Sequence, residues 1–298
     1  MNPPRSGIDP IGLESIPVQQ APSDAASRAA APSAALALLR SDLLSDLMSL
    51  QRRYSTYLAS EPCRDVSEHD DMLAAGNLEH YLSVGRSAID ILARAMVCAQ
   101  RDRFASVLDL PCGGGRVTRH LRAFLPDARL FVGDLDKQKE AFVVAKFAAT
   151  PIDPQADFSV AYSNRFDLIF VGSLVTHLGV NQYMRAIRWF IDALAPDGLL
   201  VFTTHGRRTF HLFTRTFHSA EWQEGLRSYL DTGFGYQPYD PAMAMDGPSS
   251  YGTSLSAPSW VARFVETDPG VRILGLGEGA WANNQDVVVL QKRAIAAG

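Results

Sequence analysis

The sequence predicts an α/β fold: a doubly wound, mostly parallel sheet with an antiparallel strand near one edge, preceded by N-terminal helices. Three observations carry this. Short apolar runs at 104–110, 129–133, 166–171 and 199–203 alternate with helical stretches. Three consecutive glycines stand where the first run passes into a helix. Two later runs, 271–276 and 286–290, are joined by a Gly-rich connection too short for a helical crossover, so they pair antiparallel.

The elements follow in order. Residues 1–32 are rich in Pro, Ala and Ser without sustained period, the composition of a disordered arm. A helical extension over 33–100 comes next. Leu36, Leu39, Leu43, Leu47 and Leu50 recur every three or four residues, and Tyr54 and Tyr57 continue the stripe of a packing helix. Asp42 and Asp46 offset Arg40, Arg52 and Arg53, so its polar face is not the basic kind that seeks anionic lipid. A loop over 61–76 leads to a second helix from Leu78 to Ala99, with Tyr81, Ile89, Leu92, Met96 and Val97 on its buried side. The third helix spans Arg116 to Phe124, and Asp136 caps a fourth that runs to Phe147. A helix over 181–194 stops at Pro196 and Gly198. The stretch 233–256 reads as a long loop of the kind that covers a substrate, with Tyr236, Tyr239 and Tyr251 as lining or as ordinary anchors.

Composition narrows the function classes. A net charge of −4 gives no basic excess, so nucleic acid is not the favoured partner. Three cysteines, with no CxxC, indicate neither a disulfide framework nor a metal site, and suit a cytoplasmic protein. No apolar run approaches the roughly 20 residues of a membrane span. The oligomeric state is not legible.

The chemistry concentrates at Val107-Leu-Asp-Leu-Pro-Cys-Gly-Gly-Gly-Arg116. In an open α/β sheet, ligands bind at the carboxyl ends of the strands. Gly113, Gly114 and Gly115 let the backbone approach a ligand, and Asp109 can accept a hydrogen bond from an amine. Asp134 ends the next strand, where an acid meets ribose hydroxyls. A glycine loop with a strand-end acid binds nucleosides; by itself it does not separate NAD from S-adenosylmethionine (SAM).

The loop DLPCGGGR resembles the SAM motif of class I methyltransferases, with Pro111 at the first glycine position. That departure removes one backbone N–H and fixes φ. FVGDLDKQKEAFVVA, RFDLIFVGSLVTHL, LAPDGLLVFTTHG and WANNQDVVVLQK resemble the family's later motifs in order, so the likeness covers roughly residues 80 to 292. It implies a seven-stranded sheet, a methyltransferase domain over 101–298 with a substrate-side insertion at about 205–265, and SAM as cofactor. It also implies cofactor contacts from Asp109, Pro111, Cys112, Gly113, Gly114, Gly115, Arg116, Asp134, Leu135, Gly172 and Ser173. Asp153 and Asp157 both stand as adenine ligands, or as plain surface residues. His177 and His205, after the fourth and fifth strands, are candidate bases; the alternative for each is a structural histidine that bonds a loop, and it is the preferred reading for His177. The remaining histidines read as surface or packing residues. Arg116 caps its loop or pairs with an acid. Arg207, Arg208 and Arg215 meet an anionic substrate or form the solvated face of a helix. The expected activity is methyl transfer to a small molecule or glycan, to oxygen ahead of nitrogen. A SAM-fold scaffold without catalysis is the alternative, and a nicotinamide dehydrogenase a third reading that the loop spacing opposes.

Overall fold

The computed structural model describes residues 34–73, 76–216, 220–240 and 251–294. The arm at 1–32 and His218 lie outside them. The chain divides into residues 1–42 and residues 43–298. In the first unit the described residues are helical, the start of α1 (Ala34–Ala59). Everything below concerns the second.

A seven-stranded sheet has the order β3-β2-β1-β4-β5-β9-β8. Strands β1 (Ser106–Asp109), β2 (Arg129–Val132), β3 (Thr150–Pro151), β4 (Phe166–Val171) and β5 (Leu194–Thr204) are parallel. Strand β9 (Gln285–Lys292) runs antiparallel between β5 and the edge strand β8 (Val271–Trp281). This is the expected topology, and the order reverses direction between β1 and β4, where such sheets open a crevice.

The strands form because both their faces are buried. Along them, alternate residues enter two separate cores. Val107, Leu168, Phe170, Val201 and Val289 face one. Leu108, Ile169, Val171, Phe202 and Leu290 face the other. The first core takes α2 (Leu78–Ala99), α3 (Thr118–Phe124) and α4 (Lys137–Phe147), with Leu50 and Tyr57 of α1. The second takes α5 (Val180–Ala193) and α8 (Pro258–Val265). In α5, Tyr183, Ala186, Ile187, Phe190 and Ile191 are all buried, at the spacing of one helical face. Between β5 and α8 lie α6 (Arg207–Thr216), α7 (Ala220–Thr232) and a hairpin of β6 (Phe234–Pro238) with β7 (Gly252–Ser256). A small core of Leu226, Tyr229 and Leu255 holds this insertion together.

Five sequence expectations need correction. Val97 is 48% exposed, because the buried face of α2 ends on Ala95, Met96 and Ala99. The third helix begins at Thr118, two residues later than expected, since the glycine loop extends through Arg116. The turn at Pro196 and Gly198 lies within β5, because Leu194 already pairs with Phe166 before a bulge restores register. Between Thr150 and Arg165 the sequence shows no clear strand followed by an acid, yet a two-residue strand, β3, opens that stretch. Both ends of the predicted long loop are strands: backbone pairing defines β6 and β7 where Gly, Ser and Thr mask the alternation.

Candidate functional site

The glycine loop leaves β1 through a cis Leu110–Pro111 bond. Gly113 has a φ of +50° and Gly115 of +81°, a region costly for other residues. The Asp134 carboxylate fastens the loop. Its Oδ2 accepts the Gly113 N–H at 2.8 Å and its Oδ1 accepts the Asp136 N–H at 2.9 Å. Glu140 accepts the N–H of Asp134 itself at 2.9 Å. Asp136 caps α4 as expected, accepting from the N–H groups of Gln138 and Lys139.

Asp109 is buried beneath the loop and accepts the Thr118 hydroxyl at 2.6 Å. Burial pushes its pKa up to about 7; the Thr118 bond opposes this and the charge of Asp134 adds to it. Cys112 packs into the first core, its backbone N–H given to Gly133 and its thiol pushed well up by burial. Its side chain is therefore a filler.

A pocket of about 390 Å³ opens beside the loop, between the ends of β1, β2 and β4. Pro111, Asp134 and Leu135 line it from the loop side, and Asp153, Phe158 and Tyr251 close it from others. Of the two acids left open for this stretch, Asp153 lines the pocket and Asp157 is not among its lining residues. Leu135 is 72% exposed, an apolar side chain presented to a cavity.

A strap from the segment between α1 and α2 lies against the loop. Arg119, 1% exposed, donates to the carbonyls of Cys63 and Asp65 on the strap and of Gly114 and Gly115 on the loop. Asp70 accepts the Tyr81 hydroxyl at 2.5 Å and stands so close that a Cβ on Gly114 would overlap it. Ion pairs Lys139–Asp71 and Lys146–Asp65 tie the strap to α4. The sequence reading missed these residues. A charged residue in a short helix reads as solvated face, and the carbonyls that satisfy Arg119 lie up to 56 positions away.

At the ends of β4, β5 and β9 a second network forms. Thr203 accepts the Ser173 N–H at 2.9 Å and donates to Gln285 at 2.5 Å, and Gln285 donates to the Ser173 hydroxyl at 2.6 Å. The Trp281 ring lies against Gly172 and its indole N–H bonds the Val84 carbonyl. Gly172 and Ser173 thus belong to this strand-end floor and not to the lining of the pocket. Arg116 neither caps its loop nor pairs with an acid among the described residues. Its guanidinium lies over the rings of Trp281 and Tyr81, at 5.6 and 6.0 Å.

The two histidines flank β7. His177 Nδ1 lies 2.9 Å from both the Gly252 carbonyl and the Tyr239 hydroxyl, and its ring stacks on Tyr251 at 4.8 Å. Burial lowers its pKa. His205 is pushed down to about 4, by burial first and by His177 second, and its Nδ1 is buried with no partner. Tyr239 and Tyr251 therefore do face the site region, whereas Tyr236 is buried in the second core. His120 is a packing residue, bonded to the Tyr57 hydroxyl at 2.7 Å. Arg207 is held by Glu278, which leaves it ill-placed for an anionic substrate. Among the described residues no group of three or more His, Cys, Asp or Glu is placed to hold a metal ion, and no helix is long and apolar enough to cross a membrane.

Comparison with known proteins adds the following. Residues 78–243, more than half of the chain, match a family model described as a methyltransferase domain. Malonyl-[acyl-carrier protein] O-methyltransferase of Bacillus cytotoxicus is 24% identical over 172 residues, covering 54% of this chain and 56% of that one. Trans-aconitate 2-methyltransferase of Streptomyces avermitilis is 29% identical over 199 residues, covering 64% and 69%. Among solved structures, the PH0226 protein from Pyrococcus horikoshii superposes with a TM-score of 0.52 at 12% identity, covering 76% of this chain and 95% of that one. DhpI in complex with SAH gives 0.50 at 14%, covering 83% and 98%. The structural likenesses establish the shared fold.

Proposed function

The chain belongs to the class I S-adenosylmethionine-dependent methyltransferases, and from that premise we propose that it transfers a methyl group to an oxygen of a small-molecule or glycan acceptor. The observation that carries the cofactor half is the pocket beside the glycine loop, with the Asp134 carboxylate at its rim and apolar walls behind. The residues fit a nucleoside: a Cβ on Gly113 would meet nothing within 4 Å, so that part of the loop faces open space. When bound, SAM supplies a methyl group already activated on a sulfonium. Asp134 accepts from ribose hydroxyls with the lone pairs that the loop amides leave free. Asp153 accepts from the adenine amine, and Leu135 and Phe158 cover the base. Asp109 stands toward the ammonium of the amino-acid end, while Gly114 and Gly115 shape the turn beneath it, packed against Asp70 and against Phe147 with Val143. Gly172 and Ser173 floor the site where the acceptor meets the methyl group, and their hydrogen-bonded frame fixes orientation, the main contribution a protein makes to such a displacement. The domain reading, a helical extension over 33–100 and an acceptor-side insertion over about 205–265, goes with this proposal.

The named relatives act on malonyl-acyl carrier protein and trans-aconitate, which favours oxygen in a small acid or its ester. If the acceptor is a hydroxyl, its proton must leave. His177 is the better base, being neutral near pH 7 and stacked on a pocket-lining tyrosine. His205 is a weak one at about 4. The scaffold alternative draws on Pro111, which withholds one loop amide.

The test is transfer of label from methyl-labelled SAM to a panel of hydroxylated, carboxylated, glycan and amine acceptors. O-methyl products support the reading, and products on nitrogen alone overturn its oxygen half. No transfer by a protein that binds SAM brings the scaffold forward.

A further inference from the structure

Among the described residues, Arg116 is a cation with no ion-pair partner. Its guanidinium lies over Trp281 and Tyr81, one ring from the end of β8 and one from α2. Aromatic faces satisfy its π-surface and leave the N–H edge free. Two acids lie near enough to be felt, Asp70 and Asp109, and neither bonds to it. Asp70 is taken by the Tyr81 hydroxyl and the Met72 N–H. Asp109 is taken by the Thr118 hydroxyl. Burial, which lowers the pKa of Arg116, marks a guanidinium partly stripped of water. Arg116 is half-buried and none of its nitrogens is sealed from solvent without a partner, so its N–H edge is open to an incoming anion.

Its position says which anion. Trp281 packs on Gly172 at the end of β4, beside the Ser173, Thr203 and Gln285 network. In the methyltransferase reading this β4 end is where the acceptor meets the methyl group; Arg116, like Asp109 and the glycines, lies outside the lining of the pocket that holds Asp134 and Asp153. We propose that Arg116 is the specificity residue of the acceptor site, holding a carboxylate of a small carboxylic acid substrate through its planar fork. This rests on the methyltransferase reading above and names the acceptor class. A carboxylate matches the fork in a bidentate pair, which a single hydroxyl or an amide cannot do. An acid acceptor also explains the two histidines. A carboxylate oxygen is already deprotonated near neutral pH, so the site has no need of a strong base.

The experiment uses the full chain saturated with S-adenosylhomocysteine. The probes are succinate, itaconate and adipate, each beside its monoamide and diamide, titrated by calorimetry into wild type, Arg116→Gln and Arg116→Lys. SAM affinity and thermal melting are measured on the same proteins. The expected result is that at least one acid binds wild type and its diamide does not. Arg116→Gln then weakens the acid by roughly 10- to 100-fold, and Arg116→Lys weakens it less, because charge survives and the fork does not. SAM affinity falls by less than acid affinity in both, as expected for a side chain whose first partner is another ligand. Equal loss of SAM binding in Arg116→Gln overturns the proposal, since the guanidinium then serves the cofactor's own carboxylate. Acids that bind no better than diamides, or that bind not at all, also overturn it. Failure of wild type to bind SAM is the separate failure of the methyltransferase reading.

Discussion

The glycine-loop half of this crevice and the half at the ends of β4, β5 and β7 are built on different principles. Around the glycine loop the determinants are close in sequence. Asp109, Gly113, Asp134 and Glu140 span 31 positions, and their bonds run largely through backbone amides. At the ends of β4, β5 and β7 the bonded residues are far apart. His177 meets Tyr239 across 62 positions, Gly252 across 75, and Gln285 meets Thr203 across 82. The bonds there run through side chains. A backbone-read site tolerates little change and leaves a motif; a side-chain site assembled from distant segments leaves none and is free to vary with the acceptor.

The largest effect that sharpens this contrast is expected at Asp109. Its folded pKa is raised to about 7 from 3.8, so between those values the folded protein holds a proton that the unfolded chain has released. The stability contributed by this group therefore falls as pH rises from about 4 to 7 and is level above. An ammonium placed beside it favours the carboxylate, so cofactor binding expels the proton. SAM affinity is expected to rise by up to about tenfold per pH unit toward 7 and to flatten beyond, as calorimetry across pH 5.5 to 8.5 reads directly. Asp109→Asn is expected to flatten the profile, weaken SAM by roughly 10- to 100-fold at pH 8, and raise the denaturation midpoint there. A flat wild-type profile removes Asp109 from the cofactor site.

Next in size is Gly114→Ala. The new Cβ overlaps Asp70, which Tyr81 holds in place, so the strap must move. Urea unfolding is expected to show a loss of about 1–3 kcal/mol, with faster proteolysis near residue 70. Gly113→Ala meets nothing within 4 Å and costs only its positive φ, about 1–2 kcal/mol or less. Unchanged stability in Gly114→Ala would mean that the strap does not rest on the loop.

The smallest effect is expected on the acceptor side, from Tyr239→Phe. It removes the hydroxyl that meets His177 and Thr253 and keeps the ring. Acceptor kcat/KM is expected to fall by roughly threefold to tenfold, the worth of one neutral hydrogen bond, with SAM affinity unchanged. A change in SAM affinity instead would place Tyr239 in the cofactor half.

The same contrast explains what was legible in advance. Strand β4 and helix α2 fell at their expected positions because their burial is set by their own apolar pattern. The cofactor loop was legible because glycine and strand-end acid carry chemistry at fixed spacing. Strand β3 was not, since two residues, one a proline, give no alternation. The β6–β7 hairpin was hidden because Gly252, Thr253 and Ser254 read as loop while their backbones pair with 236–238. Arg116 was read as the start of the third helix and given the wrong neighbours. The rings it lies over come from α2 and β8, on either side of it in the chain and remote from its own element. Arg119 gave no signal at all, because its burial depends on carbonyls of a strap that has no pattern of its own.

The central claim is that the crevice beside Asp134 holds the cofactor. Calorimetric titration of SAM into wild type and Asp134→Ala tests it most directly. Wild type is expected to bind in the micromolar range, and the variant roughly 100-fold more weakly, having lost both ribose acceptors and the bond that fastens Gly113. Equal affinity in the two proteins, or no binding by a folded wild type, would contradict it.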